Sequence, residues 1–240
     1  MQSGNHLYDE TLPNHQTERL RLVWSRDVLR LMPDFLFNGP SDAPITLVLA
    51  HGAGAPMDSP FMETIAEGVA QAGIGVARFE FPYMCRRRTT GSRGAPDPST
   101  VLIQSWRDTI DQLGGGHRLV IGGKSLGGRI ASMIADDAAV RGLVCLGYPF
   151  HPPGKPGQTR VRHLEHLRTP TLIVQGTRDS LGKSDEVVKY KLSSSIRIEW
   201  LEDGDHSFRP RSLSGRSEAD NLNAAINHVV GFVNRLRDAA

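Results

Sequence analysis

The chain has 240 residues, of which 39% are hydrophobic and 22% are charged, a size that favours one α/β domain over two. Its formal net charge of +2 gives no reason to expect nucleic acid or an anionic membrane surface as a partner. Two cysteines are too few for a disulfide framework, and no apolar run approaches the length of a membrane span. These features predict a soluble, cytoplasmic protein that binds neither nucleic acid nor membrane, and they leave its oligomeric state open.

Short runs rich in Val, Ile and Leu alternate with helical patterns, which is typical of a parallel sheet covered by helices on both faces. The predicted strands span residues 45–50, 75–81, 118–122, 142–146, 171–175 and 196–201. The predicted helices span residues 60–72, 98–113, 126–137, 184–192 and 221–236. We expect residues 1–20 to form an N-terminal extension to a single domain of residues 21–240, in which 21–39 add one or two antiparallel edge strands.

Three segments rich in Gly, Pro or Arg follow predicted strands, and we expect each to be a loop. They are HGAGAPMDSP at 51–60, FPYMCRRRTTGSRGAPDP at 81–98 and GYPFHPPGKPGQ at 147–158. An open parallel sheet binds its ligands beyond the carboxyl ends of its strands. The chemistry of the protein is therefore predicted to lie at that edge.

One stretch, LVIGGKSLGGR at 119–129, places a single serine between a β-branched run and several glycines. A strand that turns sharply into a helix explains the pattern, because side chains at Gly123 and Gly127 would collide with the turn. This turn would expose Ser125 as a nucleophile. The alternative is a phosphate-binding loop ending in GGKS, which fails on spacing because Arg118 occupies the position of its first glycine.

A serine hydroxyl is a poor nucleophile at neutral pH unless a base takes its proton and an acid orients that base. Asp179 follows a buried-type strand in TLIVQGTRD, and His206 follows the next strand in IEWLEDGDHSF. After a nucleophile on a strand–turn–helix, the expected chain order is serine, acid, histidine. We therefore predict a triad of Ser125, Asp179 and His206. Asp203 and Asp205 flank the histidine, but neither follows a strand end as Asp179 does.

The anion that forms when such a serine attacks a carbonyl needs preorganised N–H donors. Leu126, directly after the serine, is predicted to supply one. The loop AHGAG at 50–54 follows the first predicted strand, and we assign the second donor to Ala53, with Gly54 as the alternate. His51 is expected to hold this loop through hydrogen bonds rather than to act as a base.

Six segments together resemble an α/β-hydrolase family that includes bacterial uncharacterised hydrolases, a subunit of the chromatin NSL complex and its testis-expressed relative. They are HGAGAPMDSPFM (51–62), VARFEFPYMCRRR (76–88), GGKSLGGR (122–129), CLGYPFHPPGKP (145–156), QGTRDSLG (175–182) and DGDHSF (203–208). The resemblance covers residues 45–233 and implies the α/β-hydrolase fold, with Ser125, Asp179 and His206 as nucleophile, acid and base. It implies no particular substrate, because much of that family has no established activity and its chromatin members act as structural subunits.

Several cationic side chains lie near the predicted site. Arg86, Arg87 and Arg88 are predicted to bind a carboxylate or phosphate of the substrate, against the alternative of a solvated loop. Lys124, beside the nucleophile, is expected to be a surface lysine, with capture of an anionic leaving group as the alternative.

Neither the histidine pair nor the cysteines predict a second site. His163 and His166 lie one helical turn apart but match no zinc-site spacing, so no metal and no other cofactor is predicted. Cys85 lacks the glycine-flanked turn expected of a thiol nucleophile. Both Cys85 and Cys145 are expected to be small buried hydrophobic residues.

Residues 147–170 leave room for a loop and one short helix, so we expect no more than a minimal cap and an open site. The favoured function is that of a carboxylesterase-like serine hydrolase that cleaves an ester, thioester or related acyl bond of a small substrate. The alternatives are a non-catalytic interaction scaffold that retains the fold, and an acyltransferase. A nucleophile, an acid and a base at three strand ends favour an enzyme, because a scaffold has no need of them together.

Overall fold

The computed structural model describes residues 34–91 and 94–238. These residues form a seven-stranded sheet with the order β1-β3-β2-β4-β5-β6-β7. The strands are β1 (Leu36–Asn38), β2 (Thr46–Ala50), β3 (Gly75–Phe79), β4 (Leu119–Lys124), β5 (Gly142–Leu146), β6 (Thr171–Gly176) and β7 (Ile196–Leu201). β1 pairs antiparallel with β3, and the other neighbouring pairs are parallel. The predicted mostly parallel sheet is confirmed.

Helices cover both faces of this sheet. They are α1 (Pro60–Gln71), α2 (Pro82–Thr90), α3 (Ser99–Gln112), α4 (Leu126–Ser132), α5 (Ser184–Val187) and α6 (Glu218–Asp238). On one face, α1 and α6 share an apolar cluster with Leu47 and Leu49 of β2. On the other face, α3 and α4 pack in a cluster with Val48 and Ala50. Successive residues of β2 thus pack into the apolar clusters on opposite faces of the sheet. Because both faces of the strand are buried, its sequence is a continuous run of apolar residues.

Helix α2 was not predicted, because its three arginines were interpreted as part of a loop over 81–98. The local signals for a helix are nevertheless present in the sequence. Pro82 occupies the first turn, where its missing N–H leaves no intrahelical bond unmade. Gly91 ends the helix with a φ of 69°, a left-handed conformation that glycine adopts without strain. The predicted strand over 75–81 ends at Phe79, which leaves room for this helix to begin.

Two predicted helices are shorter than expected. The helix predicted over 126–137 ends at Ser132, beyond which Met133 and Ile134 donate to carbonyls only three residues back, as in 3₁₀ turns. The helix predicted over 184–192 has four residues and likewise continues in three-residue turns, such as that from Tyr190 to Val187. The strand and helix boundaries elsewhere lie within a few residues of the predicted ones.

The remaining fold predictions concern the N-terminal segment, the connection between β5 and β6, and the absence of a membrane span. Outside the described residues lie the predicted extension, residues 1–20, and most of the predicted edge segment 21–39. Within the described residues, β1 supplies one antiparallel edge strand. Between β5 and β6 the structure contains a loop with one 3₁₀ turn, Arg162–Glu165, so the expectation of a minimal cap is confirmed. None of the helices described for 34–91 and 94–238 combines the length and apolarity that a membrane crossing requires.

Candidate active site

The predicted nucleophile lies on a strained turn between β4 and α4. Ser125 has φ 48° and ψ −107°, a conformation that is rare for a residue with a side chain and is typical of functional sites. A Cβ atom placed on Gly123 or Gly127 would lie 2.0 Å or 2.3 Å from the carbonyl oxygen of Ala50. The predicted steric reason for the flanking glycines is therefore confirmed, because only glycine lets this turn approach the end of β2.

The three residues predicted as a triad are brought into one hydrogen-bonded line. Nε2 of His206 lies 2.9 Å from Oγ of Ser125, and Nδ1 of His206 lies 2.7 Å from Oδ2 of Asp179. A carboxylate only accepts, so Nδ1 carries the proton of a neutral ring and Nε2 is left to accept from the serine hydroxyl. This arrangement can remove the hydroxyl proton as the oxygen attacks.

Asp179 is fully buried and is held by groups that the sequence analysis did not identify. Its Oδ2 accepts from Nε2 of Gln175 at 2.9 Å, and its Oδ1 accepts from the N–H of Leu181 at 2.9 Å. Gln175, also fully buried, accepts in turn from the N–H of Tyr148 at 2.7 Å. A glutamine inside the apolar strand β6 was the one signal that could have indicated this support.

The two competing carboxylates have other partners. Asp203 forms ion pairs with Arg178 at 2.8 Å and Arg211 at 2.6 Å. Asp205 accepts from the backbone N–H groups of Ser207 and Arg209, at 2.7 and 3.0 Å, and so closes the turn that carries His206. Asp179 is therefore the carboxylate that contacts the His206 ring. Asp203 is bound to two arginines, and Asp205 is bound to backbone N–H groups.

The loop after β2 is fixed by His51, as the sequence analysis expected. Its ring is fully buried, with Nδ1 2.7 Å from the carbonyl oxygen of Gly52 and Nε2 3.1 Å from the N–H of Phe81. Nε2 must accept from that N–H, so Nδ1 carries the proton and donates to Gly52. Burial lowers the pKa of His51, which favours this neutral form.

Tyr83 of α2 contacts the same loop and was missed by the sequence analysis. Its hydroxyl lies 3.3 Å from the carbonyl oxygen of Gly52 and 3.2 Å from that of Ala53. Because the C=O and N–H of a trans peptide point in opposite directions, holding the Gly52 oxygen on one side aims the N–H of Ala53 to the other. Holding the Ala53 oxygen fixes the N–H of Gly54 in the same way. The predicted donor Ala53 and its alternate Gly54 are thus both oriented by contacts from α2.

Leu126, the other predicted donor, is the first residue of α4. The first four N–H groups of a helix have no partner inside the helix. The N–H of Leu126 is therefore left available beside Ser125, where the amino end of the helix also favours negative charge.

The predicted substrate-binding arginines are engaged within the protein. Arg88 makes a two-pronged ion pair with buried Glu80, at 2.6–2.9 Å, and reaches Asp58 at 2.5 Å. Arg86 pairs with Asp97. Neither residue lines the cavity beside Ser125, so the structure does not bring Arg86 or Arg88 to the predicted nucleophile.

Arg87 lies closest of the three to the site. Its Nη1 donates to the carbonyl oxygen of Ala53 at 3.2 Å, its Nε donates to that of Gly94 at 3.1 Å, and its guanidinium lies 5.0 Å from the centre of the Tyr83 ring. The arginine segment was expected to be a loop open to substrate. It is instead a helix whose side chains brace the loop after β2.

The Glu80 carboxylate extends this bracing network. It accepts from the N–H of Met57 at 3.2 Å, while buried Arg78 donates to the carbonyl oxygen of Met57 at 2.9 Å. The pair with Arg88 lowers the pKa of Asp58 on the same loop through a side-chain hydrogen bond. Charged groups of β3 and α2, with Glu80 between these elements, thus hold the segment between β2 and α1.

A cavity of about 330 Å³ opens beside Ser125. It is lined by the loop 52–55, Phe61 and Met62 of α1, Lys124 and His206. A larger cavity of about 520 Å³ lies at the opposite, amino end of the strands and contains none of the triad residues. The cavity at Ser125 is therefore the candidate substrate site, and its size suits a small molecule.

Lys124 lines this cavity, so the expectation of a surface lysine is wrong. Its Nζ donates to the carbonyl oxygen of His206 and lies 5.2 Å and 5.5 Å from the ring centres of Phe61 and Phe208. Burial lowers the pKa of Lys124 to about 8, against the opposing effects of Asp179 and Asp205.

The remaining candidate residues do not form a second centre in the described part of the chain. Burial raises the pKa of the Cys85 thiol and that of Cys145, which disfavours the reactive thiolate at either position. His163 contacts the hydroxyl of Ser132 at 2.9 Å rather than pairing with His166. Among residues 34–91 and 94–238 no group of three or more His, Cys, Asp or Glu side chains is placed to hold a metal ion.

Solved structures of several hydrolases are similar to this chain. An alpha-beta serine hydrolase homologue from Coxiella burnetii matches at 18% identity over 83% of this chain and 90% of that chain, with a TM-score of 0.63. A serine hydrolase without lid from Xanthomonas campestris matches at 19% over 85% and 88%, with a TM-score of 0.62. A dienelactone hydrolase from Anabaena variabilis matches at 20% over 87% and 94%, with a TM-score of 0.65. At these identities the likeness shows the fold.

The amino-acid sequence also matches the model of a protein family. The family described as alpha/beta hydrolase domain matches residues 43–234, which is most of the chain and includes every predicted triad residue. The finer resemblance to the chromatin-complex subunit and its relative stays a prediction. The chain belongs to the alpha/beta hydrolase domain family.

Proposed function

We propose that this protein is a serine hydrolase that cleaves an ester, thioester or related acyl bond of a small substrate through an acyl-enzyme on Ser125. The observation that carries the proposal is the line of hydrogen bonds from Ser125 through His206 to buried Asp179, at 2.9 and 2.7 Å. Membership of the alpha/beta hydrolase domain family and the serine hydrolases among the similar structures support it.

In the acylation step, Oγ of Ser125 attacks the carbonyl carbon as its proton passes to Nε2 of His206. The bond to the leaving group then breaks, and Nε2 returns the proton to the departing oxygen or sulfur. In the second step, a water gives a proton to Nε2 and attacks the acyl carbon. The proton returns to Ser125 as the acid product leaves, so the enzyme is regenerated. Asp179 stabilises the imidazolium formed in each step.

The negative charge on the carbonyl oxygen would be held by the N–H groups of Leu126 and Ala53, with Gly54 as the alternate to Ala53. Tyr83, His51 and Arg87 support this role because they bind the carbonyl oxygens of the loop from its outer side. The donors are thus aimed before substrate arrives, which is what makes such groups effective.

The candidate cavity argues for a small substrate and for a carboxylesterase-like preference. Its volume of about 330 Å³ is at the small end for ligand pockets, and its walls include Phe61 and Met62. A contribution from Arg86, Arg87 and Arg88 to substrate binding is a weaker part of the proposal, since their side chains already have partners within the protein.

Two other functions remain as alternatives. An interaction scaffold related to the chromatin-complex subunit would keep the fold without turnover, and an acyltransferase would use the same triad with an acceptor other than water. The aligned triad beside an open cavity favours turnover, because a scaffold needs neither. The proposal includes a cytoplasmic location and a small-molecule substrate rather than nucleic acid, which the two cysteines and the near-neutral charge support.

The test is hydrolysis of 4-nitrophenyl esters of graded acyl length by the wild type, His206→Ala and Ser212→Ala, an exposed serine that serves as control. We expect short acyl chains to react best, and His206→Ala to lower kcat by about a thousandfold or more. A folded wild type that hydrolyses none of these esters would favour the scaffold. Hydrolysis that survives His206→Ala would place the base elsewhere.

A further inference from the structure

Lys124 is the only lysine or arginine that lines the candidate cavity among the described residues. It precedes Ser125 in the chain, at the end of β4. Its side chain runs along Gly52, where a Cβ atom would lie 3.4 Å from Cγ of the lysine, and ends between Phe61 and Phe208. The positive charge that shares this cavity with the predicted nucleophile is therefore held by packing against Gly52 and the two phenylalanine rings.

The ammonium group of Lys124 has more donors than it has acceptors among residues 34–91 and 94–238. A protonated lysine carries three N–H donors, and the structure records one acceptor for Nζ, the carbonyl oxygen of His206. The two aromatic rings offer only their faces. Within the described part of the chain, no carboxylate lies within 4.0 Å of Nζ. A partly buried charge without a carboxylate partner is costly, and an anion in the cavity would relieve that cost.

The neighbouring carboxylates are bound to other groups. Asp179 lies against His206, and Asp205 accepts from the backbone N–H groups of Ser207 and Arg209. Among the described residues, these two acids, after β6 and β7, are the charged groups that act on Lys124. Together with His206, whose carbonyl oxygen accepts from Nζ, they are the titratable residues beside it in that part of the chain. Asp179 and Asp205 raise the pKa of Lys124 by less than burial lowers it, because the resulting pKa is about 8.

The arginines of α2 differ from Lys124 in this respect. Arg88 is paired with two carboxylates, those of Glu80 and Asp58, and Arg86 is paired with Asp97. The sequence analysis predicts anion capture by Arg86, Arg87 and Arg88, but the first and the last are paired with carboxylates, and Arg87 donates to the carbonyl oxygens of Ala53 and Gly94. None of the three lines the cavity beside Ser125. Of the described lysines and arginines, the one that lines the cavity at the predicted nucleophile is therefore Lys124.

We propose that Lys124 forms a carboxylate-binding subsite in this cavity, so that the substrates are small esters carrying a free carboxylate near the scissile bond. The proposal rests on the proposed function for the identity of that bond. One ammonium matches one negative charge, which favours a carboxylate over a doubly charged phosphate. The cavity of about 330 Å³ limits the spacing between carboxylate and ester to a few carbon atoms.

Binding of the carboxylate has a measurable consequence for Lys124 itself. An anion at hydrogen-bonding distance stabilises the ammonium form, so its pKa rises when the ligand binds. At pH 8.5 a sizeable part of Lys124 is neutral in the free protein, and complex formation takes up protons from the buffer. A lysine that only supports the main chain of His206 would show no such uptake with a charged ligand and none with a neutral one.

The experiment measures ligand binding by calorimetry to the full-length Ser125→Ala protein, which cannot form an acyl-enzyme on that residue. The probes are monoethyl succinate, which is an ester with a carboxylate, and ethyl levulinate, which has a neutral ketone in its place. We expect the monoester to bind about tenfold or more tightly, the range of a charge-assisted hydrogen bond. At pH 8.5, titration in two buffers of different ionisation heat should show proton uptake with the monoester alone.

Adding Lys124→Met should remove both the preference and the proton uptake. Adding Lys155→Met, an exposed lysine after β5, should remove neither. Equal affinities for the two probes, a preference that survives Lys124→Met, or no measurable binding of the monoester would overturn the proposal. Because the protein in this experiment lacks the Ser125 hydroxyl, the result does not depend on turnover. An inactive wild type that still shows the lysine-dependent preference would refute the proposed function alone.

Discussion

The ring of His206 donates from Nδ1 to the carboxylate of Asp179 across 2.7 Å, and the whole of Asp179 is buried. A carboxylate in that position fixes the tautomer of the ring as well as its orientation. The donors from Gln175 and Leu181 hold the carboxylate in turn. The proposed mechanism therefore depends on an acid that orients the base and does not touch the substrate.

Replacing Asp179 with Asn should lower kcat by about a thousandfold to ten-thousandfold, because an amide NH₂ facing Nδ1 favours the wrong tautomer. Asp205→Asn, which keeps the acceptor of its turn, should stay near wild-type activity. The measurement is kcat on a short-chain 4-nitrophenyl ester. If Asp205→Asn were the slower of the two, the acid of the triad would have been assigned to the wrong residue.

Tyr83→Phe should lower kcat by about tenfold with a much smaller change in KM, because its hydroxyl aims the N–H of Ala53 without contacting substrate. The expected loss is smaller than the hundredfold or more that follows removal of an oxyanion donor itself. Tyr190→Phe is the matched control, because this tyrosine is partly exposed and its ring packs against Phe150. A loss confined to KM would mean that Tyr83 shapes the substrate site instead.

Arg88→Gln should destabilise the protein by about 1–3 kcal/mol, because it leaves the buried Glu80 without its charged partner. Arg86→Gln removes a more exposed pair with Asp97 and should cost at most about 1 kcal/mol. Urea denaturation of the two variants provides the comparison. Equal and small losses would indicate that the Glu80 pair is solvated, and would return Arg88 to the list of candidate substrate ligands.

The lowered pKa of Lys124 predicts a distinct pH dependence of stability. The lysine has a pKa of about 8 in the folded protein, and an unfolded lysine titrates at about 10.4. Between these values the unfolded chain binds more protons than the folded one, so this group makes folding more favourable as the pH rises. The free energy of unfolding of the wild type, relative to Lys124→Met, should increase from pH 7.5 to pH 10. A constant difference would show that the lysine titrates at its ordinary value.

Much of the fold could be predicted because short segments of the sequence indicate which strands and helices form. The buried strands carry runs of β-branched residues, and α6 shows its buried face, including Ala225, Val229 and Phe232, at helical spacing. Helix α2 was missed although Pro82 and Gly91 mark its ends, because three successive arginines gave the segment no apolar face to detect. Charge composition outweighed the capping signals in the interpretation of that segment.

The placement of the predicted site residues followed from topology. Residues after parallel strands meet at one edge of the sheet, so Ser125, Asp179 and His206 could be expected to lie close together. The partners that decide the electrostatics of the site could not be predicted in this way. Arg88 and Asp58 are 30 residues apart, and Lys124 and the carbonyl of His206 are 82 apart. The local sequence does not show that Arg88 is paired with carboxylates, whereas Lys124 has a carbonyl oxygen as its acceptor.

Labelling of the protein by a fluorophosphonate, followed by mass spectrometry of the modified peptide, tests directly whether Ser125 is an activated nucleophile. The probe reacts with a serine only when a neighbouring base activates it. We predict one adduct, on Ser125, in the wild type and in Ser212→Ala, and no adduct in Ser125→Ala. Labelling that persists in a folded Ser125→Ala protein, or a folded wild type that is not labelled, would contradict the proposal that Ser125 is the nucleophile of a serine hydrolase.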